Sequence, residues 1–475
     1  MQIMNKRIVL LAICAAFTTS LISCGDSNEP VTTNNNSGDE TVSSAETADP
    51  TTTPPEATDK YAGRTYRIFN GFGLETKYIE PNIYPEEMTG DVYSDSLYQR
   101  CMDTEDRLGI TIEVTDGTLS QIKTSVAAAD DFADLTFADL SNVMSLVLEN
   151  YCIDFYEIPN ISLDKVWWDQ NAEEKLSFEG KLFYTFNDSI TTQTDNCRTI
   201  YFNKEMADDL QLPNLYDMVR NGTWTFDKLE EYALMAVSDL NGDTRFDGND
   251  RYGIVNWGVT GLGEALLTGA DCEIVMQGDD GVPYFNCFTE RFNTVYTRIL
   301  DIMNNGNLFY VGNAVNMLKS GQALFIVDSL GSAPNLRDTD VDFGILPIPK
   351  YDEGQESYWN VSPNPHAMLV PVTCSDLDFA GAVMEEMAYQ SHITVLPAYY
   401  DNMLKGKVAR DEDSLEMLDL IHNSVSYVIK IIGVEFSDAI YTEMANDNYD
   451  LSSMLASWQE SVETQLDEVL SQFKN

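Results

Sequence analysis

Short apolar runs alternate along the chain with longer segments in which apolar residues recur every three or four positions. The short runs have the length and the bounding turn residues of β-strands, and the longer segments have the period of an α-helix. The predicted strands are 63–69, 110–114, 135–138, 252–257, 324–327, 343–346 and 367–372, and the predicted helices are 92–108, 143–148, 226–237 and 292–303. Strands alternating with helices in this way predict an α/β fold with crossover helices on the sheets.

The clearest helical pattern lies at the end of the chain. Its apolar residues follow one another at three- and four-residue steps, which places them on one face of a helix. They are Leu451, Met454, Leu455, Trp458, Val462, Leu466, Val469, Leu470 and Phe473. We expect this face, Trp458 included, to pack against the core and not to bind a ligand.

The start of the chain has the pattern of a secretory signal peptide. Lys6 and Arg7 precede an apolar run at 8–17, which is too short to cross a bilayer. The next residues, Leu21-Ile22-Ser23-Cys24, resemble a lipobox, in which the cysteine receives diacylglycerol and an N-acyl chain. We predict a signal peptide at 1–23, lipid on Cys24, and an anchor on the extracellular face of a Gram-positive-type membrane. An ordinary secreted protein with a chance cysteine is the alternative.

Cys24 is followed by a polar segment that reaches residue 59. It consists largely of Asn, Ser, Thr, Asp, Glu and Pro, and it has almost nothing apolar to bury. Such a segment does not offset the entropy that ordering costs, so we predict a disordered linker at 24–59, behind the lipidated cysteine.

Length and charge limit the possible architectures and partners. The chain has 475 residues and a formal net charge of −49 at pH 7. The roughly 415 residues after the linker exceed what one hydrophobic core usually holds, so two or three domains are expected. The negative charge argues against nucleic acid and anionic lipid surfaces as partners, because both would repel it. We expect a monomer with a well-solvated surface.

Six cysteines remain in the mature chain besides Cys24, and they are scattered singly. Cys272 and Cys287 flank Gly278-Asp279-Asp280-Gly281, a hairpin-turn signal. A two-residue turn at Asp279-Asp280 would place the two cysteines opposite each other, so a disulfide and two buried free thiols are both open.

The chain lacks the sequence motifs of common enzymes. It has no phosphate loop, no GxSxG elbow and no HExxH helix, and its three histidines have no zinc-like or triad-like neighbours in sequence. Asp and Glu are so frequent that two of them can always be chosen as the catalytic acid and nucleophile of a glycosidase. Such a choice is therefore weak evidence for that activity. We predict that the protein is not an enzyme, with a surface glycoside hydrolase as one alternative.

One local motif has its own chemistry. Oxygen ligands occur at positions 1, 3, 5, 7, 9 and 12 of a twelve-residue loop, which is the ligand spacing of an EF-hand-type calcium site. They belong to Asp239, Asn241, Asp243, Arg245 (through its carbonyl), Asp247 and Asp250. Thr244 replaces the usual glycine, Asp250 replaces the usual glutamate, and a strand follows the loop. We predict a structural calcium clip of roughly 10⁻⁴–10⁻³ M affinity. A metal-free polar turn is the alternative, and a calcium-dependent cell-surface interaction protein is a further candidate function.

Several ordered segments resemble a known family. The segments are 134–141 (DLTFADLS), 166–170 (VWWDQ), 180–184 (GKLFY), 201–204 (YFNK), 222–226 (GTWTF), 344–351 (GILPIPKY) and 404–407 (LKGK). Together they resemble family 1 extracellular solute-binding lipoproteins of ABC carbohydrate importers, of the clostridial type. The match runs from about Arg64 to the C-terminus.

The resemblance implies an α/β periplasmic-binding-protein type II fold, with two lobes joined by hinge strands. It places lobe 1 at 60–190 plus 364–408 and lobe 2 at 191–363 plus 409–475. A sugar or oligosaccharide would sit between the lobes and shift the open–closed equilibrium, and ABC permease subunits would recognise the closed form.

The ligand residues implied by this fold combine aromatic platforms with carboxylates and amides, because pyranose rings have apolar faces and polar edges. Most of them follow predicted strands, where parallel strands open on a shared crevice. They are Asn70, Asp139, Ser141, Asn256, Trp257, Asp328, Ser329, Trp359 and Asn360. Trp224, by contrast, precedes a predicted helix N-cap at Thr225, so we expect it to be structural.

Overall fold

The computed structural model describes residues 50–71, 83–278, 280–336, 341–403, 412–429 and 434–473. The predicted signal peptide, Cys24 and most of the predicted linker lie outside the described residues. The predicted lobe boundary at 408–409 lies outside them as well.

Thirteen strands are present in the described part of the chain. They are β1 (Thr65–Asn70), β2 (Thr111–Asp116), β3 (Leu135–Asp139), β4 (Arg198–Asn203), β5 (Tyr252–Asn256), β6 (Val275–Gln277), β7 (Pro283–Phe285), β8 (Phe309–Val311), β9 (Ala323–Ser329), β10 (Phe343–Leu346), β11 (Asn360–Ser362), β12 (His366–Leu369) and β13 (Val425–Tyr427). Every strand predicted from the apolar runs overlaps one of these.

The described α-helices number sixteen. They are α1 (Val92–Leu108), α2 (Leu119–Ala127), α3 (Leu140–Leu148), α4 (Gln170–Leu176), α5 (Thr192–Asp195), α6 (Lys204–Asp209), α7 (Leu215–Arg220), α8 (Phe226–Ala236), α9 (Val259–Gly269), α10 (Glu290–Asn304), α11 (Ala314–Lys319), α12 (Leu377–Gln390), α13 (Leu396–Met403), α14 (Glu412–His422), α15 (Val434–Ala445) and α16 (Ser452–Phe473). A π-helical turn at Ser391–Val395 connects α12 to α13.

The first sheet has four strands in the order β12-β3-β1-β2. β1 lies parallel to β2 and β3, and β12 pairs antiparallel with β3. β3 and β12 are buried along most of their length, as expected for strands that helices cover on both faces. The carboxyl ends of β1, β2 and β3 therefore meet at one edge of this sheet.

The second sheet has five strands in the order β10-β4-β9-β5-β8. β5 is parallel to β8 and β9, whereas β4 is antiparallel to β9 and β10. The carboxyl ends of β5 and β9 thus share an edge with the start of β4. β5 is buried throughout, and so is β9 up to its last residue, Ser329.

Two short pairings complete the strand structure. β11 and β13 pair in parallel, and β6 and β7 form the hairpin expected around Gly278. The prediction of a two-residue turn was wrong, because Gly278 N donates to Val282 O, 2.9 Å away, which leaves three positions between the last paired residues. Cys272 and Cys287 are both buried and both free, so the free-thiol alternative is the one observed.

Helix ends follow their sequence signals. The Asp91 side chain accepts from Ser94 N at the start of α1, and Gly109, at φ +66°, ends that helix in the left-handed conformation that glycine tolerates best. The predicted stripe on α16 is confirmed as core packing, since six of its residues are buried and Met454, Leu455 and Trp458 pack partly buried against the core.

None of the helices within the described ranges combines the length and the apolar character that crossing a bilayer requires.

Candidate functional site

Polar side chains gather where the strands of the first sheet end. Asn70 closes β1 and Asp116 closes β2, and Asn70 Nδ2 donates to Asp116 Oδ1, 2.7 Å away. Asp139 closes β3, the strand on the other side of β1. The predicted residues Asn70 and Asp139 therefore share one sheet edge, because three parallel strands end there.

Asp139 is held by the segment that enters β12. Asn364 Nδ2 donates to Asp139 Oδ1 over 3.2 Å, and His366 Nε2 lies 3.4 Å from the same oxygen. Asn364 Oδ1 in turn accepts from Ser141 N at 2.9 Å. Ser141 is exposed, so its hydroxyl is accessible beside this carboxylate.

At the edge of the second sheet, an exposed tryptophan is held by polar residues. Trp257 directly follows β5, and its indole Nε1 donates to Asp328 Oδ2, 3.0 Å away, near the end of β9. Asn256 fixes the backbone around Trp257, since its Nδ2 donates to Val327 O and its Oδ1 accepts from Gly258 N. Although its ring nitrogen is bonded, Trp257 remains 54% exposed, so an aromatic surface of fixed orientation faces solvent.

Ser329 and Arg198 flank Asp328. Ser329 N donates to Asp328 Oδ1 over 2.7 Å, and the Ser329 hydroxyl lies 3.2 Å from that of Ser332. Arg198 Nη1 is 3.9 Å from Asp328 Oδ1. Asp328 is almost fully buried and its two oxygens are shared among three neighbours, so it orients Trp257 more than it offers a free carboxylate.

The segment from α5 to the start of β4 connects the two sheet edges. His366 N donates to Thr192 Oγ1 at 3.1 Å, and Asn196 Nδ2 donates to Asn364 O at 3.4 Å. Arg198, at the end of the same segment, approaches Asp328. Residues from both edges are therefore joined through seven consecutive residues, 192–198, into one candidate site.

Buried polar atoms without hydrogen-bond partners are frequent around this segment. Within the described ranges they include Asn70 Oδ1, Asn187 Nδ2, Ser189 Oγ, Gln193 Oε1 and Arg198 Nε. Buried polar groups are normally paired, so such a local concentration needs an explanation. Ordered water or a ligand with several hydroxyl groups would supply the donors and acceptors that these atoms require.

Two predicted ligand residues lie elsewhere. Asn360 is fully buried in β11, where its Nδ2 donates to Ser424 Oγ and its Oδ1 accepts from Ile348 N, so both amide groups serve the fold. Trp359 lines a separate groove beside Lys175, and none of the other predicted ligand residues lines that groove in the described structure. The structure does not bring these two residues to the candidate site.

Burial shifts two pKa values at the candidate site in opposite directions. It raises the pKa of Asp195 to about 6, although a hydrogen bond from the Tyr399 hydroxyl opposes this shift. It also lowers the pKa of His366 to about 3. A buried group favours its neutral form, which explains both directions. At neutral pH His366 is therefore an uncharged hydrogen-bonding group beside Asp139.

The neutral state of His366 predicts an acid-dependent stability. Between an unfolded-state pKa of about 6.5 and the folded value of about 3, only the unfolded chain takes up this proton. The free energy of unfolding therefore falls by about 1.4 kcal/mol per pH unit below 6.5 from this group alone. We expect His366→Gln to lose this component, as measured by urea unfolding of both proteins at pH 7 and pH 5. A stability difference that is the same at both pH values would contradict the prediction.

The predicted calcium loop folds around its own backbone. Asp239 accepts from Gly242 N and Thr244 N, Asp243 accepts from Arg245 N, and Asp250 accepts from Leu240 N and Asp247 N. Thr244 has φ +66°, the left-handed conformation for which the usual glycine is suited. Among the described residues, no three His, Cys, Asp or Glu side chains lie close enough together to hold a metal ion. The oxygen donors of this loop are of the type that calcium prefers, so calcium binding stays a prediction.

Sequence reasoning missed the residues that link the sheet edges. Asn364 lies between Pro363 and Pro365, and this pair of prolines is a sign of a rigid segment. Arg198 opens β4 and is not among the predicted ligand residues, although basic residues are scarce in a chain with 28 Lys and Arg against 77 Asp and Glu. His366 lacks catalytic neighbours in sequence, and its contact with Asp139 arises only from the antiparallel pairing of β12 with β3.

Comparisons with solved structures identify the fold, whereas comparisons by sequence find no match. No protein-family model matches the chain, and no curated protein matches it by sequence. Solved structures do match. A cyclo/maltodextrin-binding protein complexed with maltotetraose aligns with a TM-score of 0.53 at 12% identity, over 86% of this chain and 96% of its own.

Two further solved structures align over the same share of this chain. A sugar transporter from Rhizobium etli in an open conformation gives a TM-score of 0.54 at 13% identity, over 99% of its own chain. An ABC substrate-binding protein from Listeria monocytogenes in complex with cycloalternan gives 0.50 at 10% identity, also over 99% of its chain. The predicted α/β, two-lobed fold of periplasmic-binding-protein type is thus confirmed: this chain has the fold of ABC-importer solute-binding proteins.

Proposed function

We propose that the protein captures a sugar or oligosaccharide between its lobes and delivers it to an ABC importer. The observation that carries the proposal is Trp257, an exposed indole held in a fixed orientation by Asp328 at the candidate site. An aromatic face packs against the C–H face of a pyranose, and the polar groups along 187–198 suit its hydroxyls. Solved structures of the same fold hold maltotetraose and cycloalternan.

The proposed mechanism uses binding without chemistry. Ligand contacts with Asn70 and Asp139 on one sheet edge, and with Trp257 on the other, are made together only when the two edges approach. A ligand that binds the closed form more tightly shifts the equilibrium towards it. Permease subunits then recognise the closed form, and ATP is hydrolysed by a separate protein of the importer.

A thermal-shift screen over mono- and oligosaccharides tests this function. A ligand at 100 times its Kd adds about 2.7 kcal/mol to the free energy of unfolding, which is readily detected. Small-angle scattering with the best ligand should show a more compact protein. The ligand should be recovered intact after long incubation. Cleaved sugar would favour a surface glycoside hydrolase instead, and binding of peptides with no response to any saccharide would refute the carbohydrate assignment.

The membrane anchor is a further part of the proposal and rests on the lipobox-like Leu21-Ile22-Ser23-Cys24. A lipid anchor on Cys24 would keep the receptor next to its permease, with the polar segment up to residue 59 as a spacer. In a host that processes lipoproteins, the protein should partition with membranes and incorporate labelled fatty acid. Cys24→Ala should abolish both, and labelling that persists in the variant would refute the anchor.

Calcium binding at 239–250 is also proposed, as a clip that stabilises the turn between α8 and β5. It rests on the six-oxygen spacing and on the left-handed Thr244. Chelation should lower the melting temperature, and Asp243→Ala should remove that dependence. Asp352→Ala is the matched control, because Asp352 is another exposed turn aspartate, accepting from Gly354 N and Gln355 N. Identical melting curves in chelator and in millimolar calcium would contradict calcium binding and favour the alternative of a polar turn without metal.

A further inference from the structure

A cavity lies apart from the residues of the candidate sugar site. It has a volume of about 1010 Å³ and runs between α4 with the following residues 177–180 and the β6–β7 hairpin, with Trp359 in its wall. We call this cavity the α4 groove. Its size is at the upper end of the range for small-molecule sites.

Two acceptor atoms in the wall of the α4 groove have no partner in the described part of the chain. Glu273 is 9% exposed, and its Oε1 accepts from Lys175 Nζ at 3.2 Å and Ser426 Oγ at 2.8 Å, while its Oε2 is buried and unpaired. Gln277 donates through Nε2 to Ser177 O, and its Oε1 is likewise buried and unpaired. A buried acceptor without a donor is costly, so both atoms call for a ligand that donates hydrogen bonds.

The charge around these atoms has one sign. Five carboxylate side chains line the groove among the described residues, against the single cation Lys175, and Glu273 already engages that lysine. Asp271 is partly buried beside Glu273. Its pKa is raised, mainly by burial and to a smaller extent by the negative charge of Glu273. Neighbouring carboxylates repel one another, so a positive charge placed between them stabilises their ionised forms.

The aromatic wall already accommodates an ammonium group. Lys175 Nζ lies 4.4 Å from the centre of the Trp359 ring, which is a cation–π distance. Tyr156 also lines the groove and is 46% exposed. The groove thus combines an indole face, buried acceptors and carboxylates, as expected for recognition of an organic cation.

We infer that the α4 groove is a second ligand site, for a small organic molecule that carries two or more ammonium groups. Its donors would reach Glu273 Oε2 and Gln277 Oε1, and further ammonium groups would pair with the carboxylates nearer the rim. Linear polyamines and amino-sugar oligomers share this chemistry. The site is independent of the proposed sugar site, because neither Trp257 nor Asp328 lines the groove.

Titration calorimetry in 150 mM NaCl tests the inference, with spermidine, glucosamine oligomers that carry free amino groups and a neutral glucose oligomer as probes. We expect one of the two amines to bind at a single site. Glu273→Gln should weaken that binding about tenfold or more, the usual effect of losing a charged hydrogen bond. Glu463→Gln, an equal charge change at an exposed position of α16, should leave the affinity within twofold.

A second variant keeps the inference testable if Glu273→Gln does not fold. Glu174 is an exposed residue of the groove, so Glu174→Gln should weaken amine binding severalfold while the melting temperature stays unchanged. Trp257→Ala should leave amine binding intact. Three results would overturn the inference: no binding of either amine, equal losses for Glu463→Gln and the groove variants, or a stronger groove-dependent response to the neutral sugar.

Discussion

Trp257→Ala should weaken sugar binding by about 1–3 kcal/mol, the scale for losing a large buried apolar contact. The ring is 54% exposed without ligand, so stacking a pyranose on it removes apolar surface that the folded protein leaves in water. Asp328 and Asn256 fix the indole beforehand, so little entropy is lost when the sugar packs on it. Because the ring is half-exposed, the melting temperature of the ligand-free variant should change little. The measurement is titration calorimetry with the best ligand from the thermal-shift screen.

Tyr449→Ala is the matched control for Trp257→Ala. Tyr449 is also an exposed aromatic residue whose polar atom is bonded to an aspartate, since its hydroxyl donates to Asp301 Oδ1, 3.1 Å away. It lies away from the candidate site, just before α16. We expect its removal to leave sugar affinity unchanged. Equal losses in both variants, or an unchanged affinity in Trp257→Ala, would show that Trp257 is not the sugar platform.

The secondary structure was predictable wherever local signals agreed with each other. The helix α1 begins and ends where the sequence predicts, because Asp91 caps its start, Gly109 ends it and apolar residues recur at helical spacing between them. β10 also has its predicted bounds, since its four buried residues lie between Asp342 and Pro347, which lacks the backbone N–H that a strand interior needs. The hairpin loop was misjudged because both Gly278 and Gly281 can close a turn, and sequence alone does not choose the register.

The candidate site was predictable only in part. The predicted residues at the ends of strands lie at two sheet edges, Asn70 and Asp139 at the first and Trp257, directly after β5, at the second, because sheet topology places strand ends together. Trp359 and Asn360 lie outside this candidate site, and β11, which begins at Asn360, has only three residues, too few for its alternation to show which side chain points where.

Contacts between residues far apart in sequence were the least predictable feature. Trp167 and Trp168 are both buried, and both indoles donate to the carboxylate of Glu385, more than 200 residues further along the chain. No spacing rule connects positions so far apart, so the partner of such a residue emerges only from the fold.

Trp224→Ala should lower the free energy of unfolding by about 3–5 kcal/mol, the usual cost of removing a large aromatic side chain from a core. Trp224 is fully buried, and its ring centre lies 5.7 Å from that of Phe325 in β9. Its indole Nε1 donates to Pro347 O at 2.9 Å, so the variant also leaves this carbonyl without its donor. The predicted structural role is consistent with this burial, although the Thr225 side chain makes no capping bond at the start of α8.

Urea unfolding of Trp224→Ala, Trp224→Phe and Trp458→Ala measures this effect. Trp224→Phe keeps most of the ring and loses the hydrogen bond to Pro347 O, so it should fall between wild type and Trp224→Ala. Trp458 on α16 is only partly buried against Phe436, so Trp458→Ala should cost less than Trp224→Ala. Under conditions where Trp224→Ala is still folded, its sugar affinity should match wild type, because the ring lies in the core and not at the candidate site. A stable Trp224→Ala protein with weakened sugar binding would reverse the roles assigned to Trp224 and Trp257.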